Sequence, residues 1–208
     1  WGQQPVIENR PGAGGIIASQ ALTQSAPDGY TLILVASGHP LNQFFYPKLP
    51  YDTFKDFTAI SEIAYSPLAI VVSKDSPMKT LADLLKTARE KPGSLSYGMS
   101  GNGTSAHLAG ELLNTMAKVK IQPIPYKGGA PAGAAVAAGD VQVGLLAVSS
   151  AMPHLRSGKV RMIANTSLER SPIIADVPAM KELKVPNVDG TNYTLMLAPK
   201  GTPEAIID

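Results

Sequence analysis

The clearest structural signal in the sequence is residues 95–113, which read LSYGMSGNGTSAHLAGELL. This stretch predicts a short strand, a glycine-rich loop and the start of a helix. Gly101 and Gly103 allow the backbone to approach a ligand closely, and Thr104 or Ser105 can cap the helix. The free N–H groups of the first helical turn would then face a carboxylate or a phosphate. From this segment alone, an anion-binding site and an ordinary capped turn with nothing bound fit the pattern equally well.

Predicted strands alternate with predicted helices along the whole chain. The strands are predicted at 5–8, 30–35, 58–66, 68–72, 96–98, 119–125, 141–146 and 160–166. The helices are predicted at 16–24, 80–89, 107–116, 130–138 and 151–157. This alternation predicts the α/β class, with parallel sheets covered on both faces. Ligands of such sheets bind outside the carboxyl ends of the strands, so we expect four loops to converge on one crevice. These loops follow Val35, Gly98, Pro125 and Leu146.

The composition is that of a globular protein with a small positive charge. The 208 residues are 44% hydrophobic and 16% charged, and the net charge is +2. No block of lysine or arginine is interleaved with aromatic residues, so no nucleic-acid partner is predicted. No apolar run is long enough to cross a bilayer, and no direct membrane insertion is predicted. The absence of cysteine excludes disulfides and thiolate chemistry.

The sequence offers no convincing catalytic or metal-binding set. His39, His107 and His154 lie in none of the common hydrolase or metalloprotease motifs. Acidic residues are scattered, and no acidic loop is present for a cation. We therefore predict no catalytic residue, no metal and no cofactor, and expect reversible binding. His107 is predicted to hold the glycine-rich loop by a hydrogen bond, and His39 is the histidine best placed to contact a ligand.

Seven phrases, in order along the chain, resemble one protein family. They are VIENRPGAGG (6–15), APDGYTLIL (26–34), LPYDTFKDF (49–57), the stretch 95–113, YKGGAPA (126–132), RSPIIADVPAM (170–180) and LAPKGTP (197–203). The sequence is therefore identified as a member of the TctC/Bug family, the extracytoplasmic solute-binding receptors of tripartite tricarboxylate transporters. The resemblance implies a type II periplasmic binding-protein fold, in which two α/β lobes close on a ligand. It also implies a periplasmic location, with a signal peptide upstream of the given residues.

The same resemblance implies two kinds of partner. One is a small carboxylate, whether a mono-, di- or tricarboxylic acid or an aromatic acid, and the other is the set of membrane permease subunits. Two alternatives stay open. A ligand-sensing receptor that signals to a two-component kinase would have the same cleft, and an α/β enzyme acting on an anionic substrate is the less favoured possibility.

The predicted division of the chain places the cleft between two lobes. Residues 1–98 are predicted to form the N-terminal lobe, 99–192 the second lobe, and 193–208 the crossover back to the first lobe. The chain opens on Trp1 rather than methionine, so we expect the first strand and helix of the N-terminal lobe and the C-terminal part to be missing. In the family, two loops grip one carboxylate. Residues 100–105 match one of them, and the other is expected upstream of Trp1.

The predicted ligand site draws on both lobes and on the crossover. Its members are Ser37, Gly38, His39, Ser100, Gly101, Asn102, Gly103, Thr104, Ser105, Tyr126, Lys127, Gly128, Leu146, Ala147, Val148, Ser149 and Tyr193. Two positions depart from the family pattern: Leu145-Leu146 replaces a Phe-Asp pair, and Tyr193 replaces a tryptophan found in many members. Loss of the aspartate removes a partner for a ligand ammonium, so a plain carboxylate is predicted in preference to an amino acid.

Overall fold

Two β-sheets with helices packed against them form the protein in the computed structural model, which describes residues 2–185 and 188–208. Trp1, with which the predicted first lobe begins, and Pro186 and Asn187 of the predicted second lobe lie outside the described residues. The first sheet is antiparallel, in the order β1–β8–β2. Its strands are β1 (Ile33–Ala36), β2 (Phe57–Ser66) and β8 (Asn192–Pro199).

The second sheet has five strands in the order β5–β4–β6–β3–β7. Their bounds are β3 (Leu68–Ser73), β4 (Leu95–Met99), β5 (Ile121–Pro125), β6 (Val143–Ala147) and β7 (Val160–Asn165). Strand β4 is parallel to β5 and β6, but β3 is antiparallel to both of its neighbours. The prediction of parallel sheets is therefore wrong in part. Strand β3 enters directly from the first sheet and is inserted between β6 and β7, whereas the parallel neighbours are joined by crossover helices.

Most predicted elements are present, with boundaries shifted by a few residues. The helices are α1 (Ile16–Thr23), α2 (Asn42–Phe45), α3 (Leu81–Glu90), α4 (Ser105–Ala117), α5 (Gly129–Ala138), α6 (Val148–Arg156) and α7 (Glu204–Ile207). The predicted strand at 5–8 is wrong, since Val6 and Ile7 are 96% and 84% exposed and pair with no strand. Strand β8, the centre of the first sheet, was predicted only as a crossover. Among the described residues, no helix combines the length and apolarity needed to cross a bilayer.

The sheets divide between Ser66 and Leu68, and the predicted boundary at residue 98 is corrected accordingly. Strands β3 and β4 both pair with β6, so residues 68–98 belong to the five-stranded sheet. The apolar face of α3 buries its leucines against this sheet, in one core with Ile70 and Met99. We call residues 2–66 and 192–208 the first lobe, and residues 68–185 with 188–190 the second lobe.

Two neighbouring segments connect the lobes. Pro67 joins β2 to β3, and residues 190–192 lead back into β8. Ser66 pairs with Asn192 in the first sheet, so the two segments lie side by side. Thr166 of the second lobe holds both, because its Oγ1 accepts from the Leu68 amide (3.2 Å) and its carbonyl accepts from the Gly190 amide (2.9 Å). We call these two segments the crossover segments.

Helix α3 begins with a capping box, which makes a first prediction. The Asp83 amide donates to Thr80 Oγ1 (3.2 Å), and the Thr80 amide donates to Asp83 Oδ2 (2.9 Å). We expect Thr80→Ala to lower the free energy of unfolding by about 1 kcal/mol, measured by urea titration. The control is Thr87→Ala, whose hydroxyl bonds the Asp83 carbonyl within the helix and should matter less. Equal losses in the two variants would contradict a capping role.

Candidate functional site

A cleft of about 470 Å³ lies between the lobes, where β1, β4 and β5 end. The first lobe lines it with residues 11–15, Ala18, Ser19, residues 33–36, Gly38, His39 and Tyr46. The second lobe lines it with Ser100, Gly101, Asn102, Thr104 and residues 125–128. Three of the four loops predicted to converge, those after β1, β4 and β5, therefore meet at one cleft.

Three helices begin at this cleft. Gly15, Thr104 and Gly128 are the N-cap residues of α1, α4 and α5, and all three line the cleft. Gly15 and Gly128 provide no side-chain cap, so the first-turn amides of α1 and α5 receive no bond from an N-cap side chain. The N-terminal end of a helix carries a partial positive charge, and three such ends around one space favour an anion there.

The glycine loop, residues 100–105, is held in shape by its own hydrogen bonds. Gly101 and Gly103 have φ of 129° and 75°, a backbone region that side chains disfavour. Thr104 Oγ1 donates to the Gly101 carbonyl (2.7 Å) and accepts from the His107 amide (3.4 Å). The Gly103 amide donates to His107 Nδ1 (3.2 Å). The predicted capping role of Thr104 and the predicted loop-holding role of His107 are both confirmed.

The lining of the cleft contains no acidic side chain among the described residues, and its one lysine, Lys127, is exposed. His39 is 6% exposed, with its Nδ1 3.2 Å from Ser19 Oγ and its ring against Tyr51 and Phe57. Burial lowers the pKa of His39 to about 4, so the ring is neutral at pH 7. Its Nε2 is buried and has no hydrogen-bond partner within the described part of the chain. The cleft therefore offers neutral donors and one exposed cation.

Nine of the predicted ligand residues line the cleft. They are Gly38, His39, Ser100, Gly101, Asn102, Thr104, Tyr126, Lys127 and Gly128. Eight do not: Ser37, Gly103, Ser105, Leu146, Ala147, Val148, Ser149 and Tyr193. Gly103 is buried in the loop behind the lining, whereas Tyr193 is 40% exposed on β8. The side chains of Ser37 and Ser105 bond to Asn192 behind the cleft wall.

The loop predicted after Leu146 does not exist. Strand β6 ends at Ala147 and α6 begins at Val148, with no residue between them. Leu146 and Val148 are buried in the core that α5 and α6 form with the five-stranded sheet, and Ser149 is exposed on α6. The side chain at position 146 therefore packs in the core and does not line the cleft. The preference for a plain carboxylate over an amino acid stays a prediction.

Sequence reasoning missed the loop of residues 11–15, which faces the glycine loop from the first lobe. Its sequence, PGAGG before a helix, repeats the pattern of a glycine loop at a helix start. Gly12, Gly14 and Gly15 all have positive φ, with values of 124°, 63° and 90°. This repeated pattern is the signal in the sequence that indicates a second loop of the same kind.

The two lobes touch at glycine residues. A Cβ added at Gly38 would lie 2.8 Å from the Gly103 carbonyl oxygen and 3.1 Å from Thr104 Cα. Gly38 has an ordinary φ of −71°, so its backbone conformation does not require glycine. A Cβ added at Gly14 would similarly lie 3.1 Å from the Asn102 carbonyl oxygen. Close approach of the opposite lobe is what excludes a side chain at Gly38.

A family model described as "Tripartite tricarboxylate transporter family receptor" matches residues 1–208. Over 208 residues the chain is 38% identical to the "UPF0065 protein in tcbD-tcbE intergenic region" of Pseudomonas sp. (strain P51), covering 100% of this chain and 62% of that protein. It is 35% identical to "Protein BugT" of Bordetella pertussis, covering 99% of this chain and 64% of that protein. The chain thus spans less than two thirds of the length of these curated relatives.

Solved structures with the same fold cover almost the whole chain. A protein described as "R. palustris Rpa4515 with adipate" has a TM-score of 0.93 and 36% identity, over 97% of this chain and 68% of that one. "MatC (Rpa3494) from Rhodopseudomonas palustris with bound malate" has a TM-score of 0.85 and 33% identity, over 94% and 67%. "Structure of a periplasmic transporter" has a TM-score of 0.92 and 33% identity, over 97% and 68%.

Proposed function

Because the chain belongs to the tripartite tricarboxylate transporter receptor family, a family of binding proteins rather than enzymes, we propose that it is a periplasmic receptor for a small carboxylate. The observation that carries this proposal is the meeting of three helix N-termini, α1, α4 and α5, at one cleft whose described lining residues include no acidic side chain. A carboxylate would compensate these positive ends, whereas an amine or another cation would not. The adipate and malate bound by two similar proteins accord with this choice.

In the proposed complex, neutral donors hold the ligand. Backbone amides of the glycine loop, whose glycines permit close approach, donate to one carboxylate. Gly38 and His39 flank the ligand on the side of the first lobe, and Tyr126 and Gly128 flank it on the side of the second lobe. The exposed Lys127 attracts anions at long range, and salt weakens this attraction by screening the charge. Binding of this kind is reversible and requires no bond making.

We further propose that the two lobes close over the carboxylate and that the closed form is presented to the permease subunits of a tripartite transporter. The two crossover segments lie side by side, and such a paired connection between lobes allows them to close about a common axis. The family description supplies the transporter as partner. Delivery to such a permease would take place in the periplasm, and the description of a similar protein as a periplasmic transporter supports this proposed location.

A ligand screen tests the proposal. Thermal and chemical unfolding of the purified protein is measured with adipate, malate, mono- and tricarboxylic acids and benzoate, and separately with adipamide, which has the length of adipate but no charge. At ten times its dissociation constant, a ligand that binds only the folded state adds about 1.4 kcal/mol to the free energy of unfolding. We expect this gain with at least one carboxylate and not with adipamide. The same measurements are made with an amine and a sugar, and stabilisation by either of these with none by carboxylates would contradict the proposal.

A further inference from the structure

One amide oxygen joins the two lobes behind the cleft. Asn192 Oδ1 accepts a hydrogen bond from Ser105 Oγ (2.9 Å) and another from Ser37 Oγ (3.3 Å). Ser105 is the first residue of α4 in the second lobe, and Ser37 follows β1 in the first lobe. Asn192 itself begins β8, next to the Pro67 crossover. A side chain at the start of β8, beside the Pro67 crossover segment, therefore links the two lobes.

The bridge stands directly behind residues that line the cleft. Ser37 precedes Gly38, and Ser105 follows Thr104, the N-cap of α4. None of the three bridging residues lines the cleft itself. Removal of the Asn192 side chain would therefore remove two hydrogen bonds that connect the start of α4 to the end of β1.

We propose that Asn192 is a positioning residue for ligand binding: its side-chain oxygen fixes the glycine loop and the end of β1 at the separation that binding requires. This inference rests on the proposed function, since it assigns to Asn192 a role in the carboxylate site. Asn192 acts through the two serines and does not touch the ligand. The bridge favours one relative orientation of the lobes, so its loss shifts the protein towards more open arrangements.

Affinity measurements on matched variants test this role. The variants are Asn192→Ala, Ser37→Ala, Ser105→Ala, and the double variants that combine Asn192→Ala with each serine change. The dissociation constants of adipate and malate are measured by calorimetry, together with urea unfolding. We expect Asn192→Ala to weaken binding about tenfold, the equivalent of one or two ordinary hydrogen bonds. Adding either serine change to Asn192→Ala should weaken binding no further.

Conservative variants separate positioning from direct contact. Ser37→Thr and Ser105→Thr retain the hydroxyl donor and should bind within about twofold of the wild type. If Asn192→Ala and Ser105→Ala weaken binding additively, Ser105 contacts the ligand on its own and the proposal is wrong. It is also wrong if Asn192→Ala binds as tightly as the wild type. A purely structural role would lower the unfolding midpoint and leave the affinity unchanged.

A second readout does not need a ligand. The chain contains no cysteine, so Lys48→Cys and Lys86→Cys at exposed positions place one spin label on each lobe. Double electron–electron resonance then gives the distribution of distances between the two spin labels, one on each lobe. Asn192→Ala should broaden this distance distribution relative to the labelled protein that retains Asn192. This readout remains informative even if neither adipate nor malate binds the wild type. An unchanged distribution would overturn the positioning role, whereas failure of every carboxylate to bind would overturn the proposed function instead.

Discussion

Replacement of Gly38 by alanine is expected to weaken carboxylate binding about 30-fold. The added Cβ would lie 2.8 Å from the Gly103 carbonyl oxygen and 3.1 Å from Thr104 Cα. These are backbone atoms of the opposite lobe, which cannot swing aside as a flexible side chain can. Overpacking of this kind costs about 2 kcal/mol, and the lobes relieve it by moving apart. Because binding needs both lobes, the free energy of binding becomes less favourable by that amount, while each lobe remains folded.

The control introduces a similar clash within one lobe. A Cβ at Gly144 would lie 2.8 Å from Val136 Cγ2 and 3.2 Å from Leu146 Cδ1, all in the second lobe. Gly144→Ala should therefore lower the free energy of unfolding and leave affinity within about twofold. Calorimetry gives the affinities, and urea titration gives the stabilities. If Gly38→Ala instead binds normally, or loses affinity only as much as Gly144→Ala does, contact between the lobes does not govern binding.

Local signals in the sequence predicted local structure well. Thr104 and His107 lie within four residues of the glycines they hold, so helix capping and loop closure depend on neighbours along the chain. The apolar spacing of α3 is likewise a local property, and its leucines are buried as that spacing predicts. The family resemblance supplied the two-lobe arrangement, which no single motif in the chain indicates.

Pairing between distant segments was harder to predict. The position of β3 between β6 and β7 is hard to predict because both partner strands lie more than seventy residues further along the chain. The apolar run of β3 fits any central strand and so does not identify its neighbours. The predicted lobe boundary at residue 98 divides this same five-stranded sheet, because β3 and β4 both pair with β6. Leu146 was placed in the site because loops follow strands in α/β folds, yet β6 passes directly into α6. The bridge at Asn192 joins residues 87 and 155 positions away, and no local pattern encodes it.

The buried ring of His39 makes stability depend on pH. The pKa of His39 falls from an ordinary value of 6.5 to about 4, because burial against Tyr51 and Phe57 disfavours the charged form. Below pH 6.5 the unfolded chain binds a proton at this position and the folded protein does not. Acid therefore favours unfolding, and stability is lost as the pH falls from 6.5 towards 4. Between pH 7 and pH 5 this single group should remove about 2 kcal/mol from the free energy of unfolding.

The variant His39→Gln isolates this contribution. Glutamine does not titrate, so the variant should lose about 2 kcal/mol less than the wild type between pH 7 and pH 5. Urea titrations at pH 7 and pH 5 give the free energy of unfolding of each protein. Both proteins have the same carboxylates, so the contribution of these groups cancels when the two decreases in free energy are compared. The absolute stability of the variant does not enter this comparison, so a weaker but folded variant still answers the question. Equal losses would mean that the ring gains access to water or an anionic partner on protonation. That result would contradict the burial of the His39 ring against Tyr51 and Phe57.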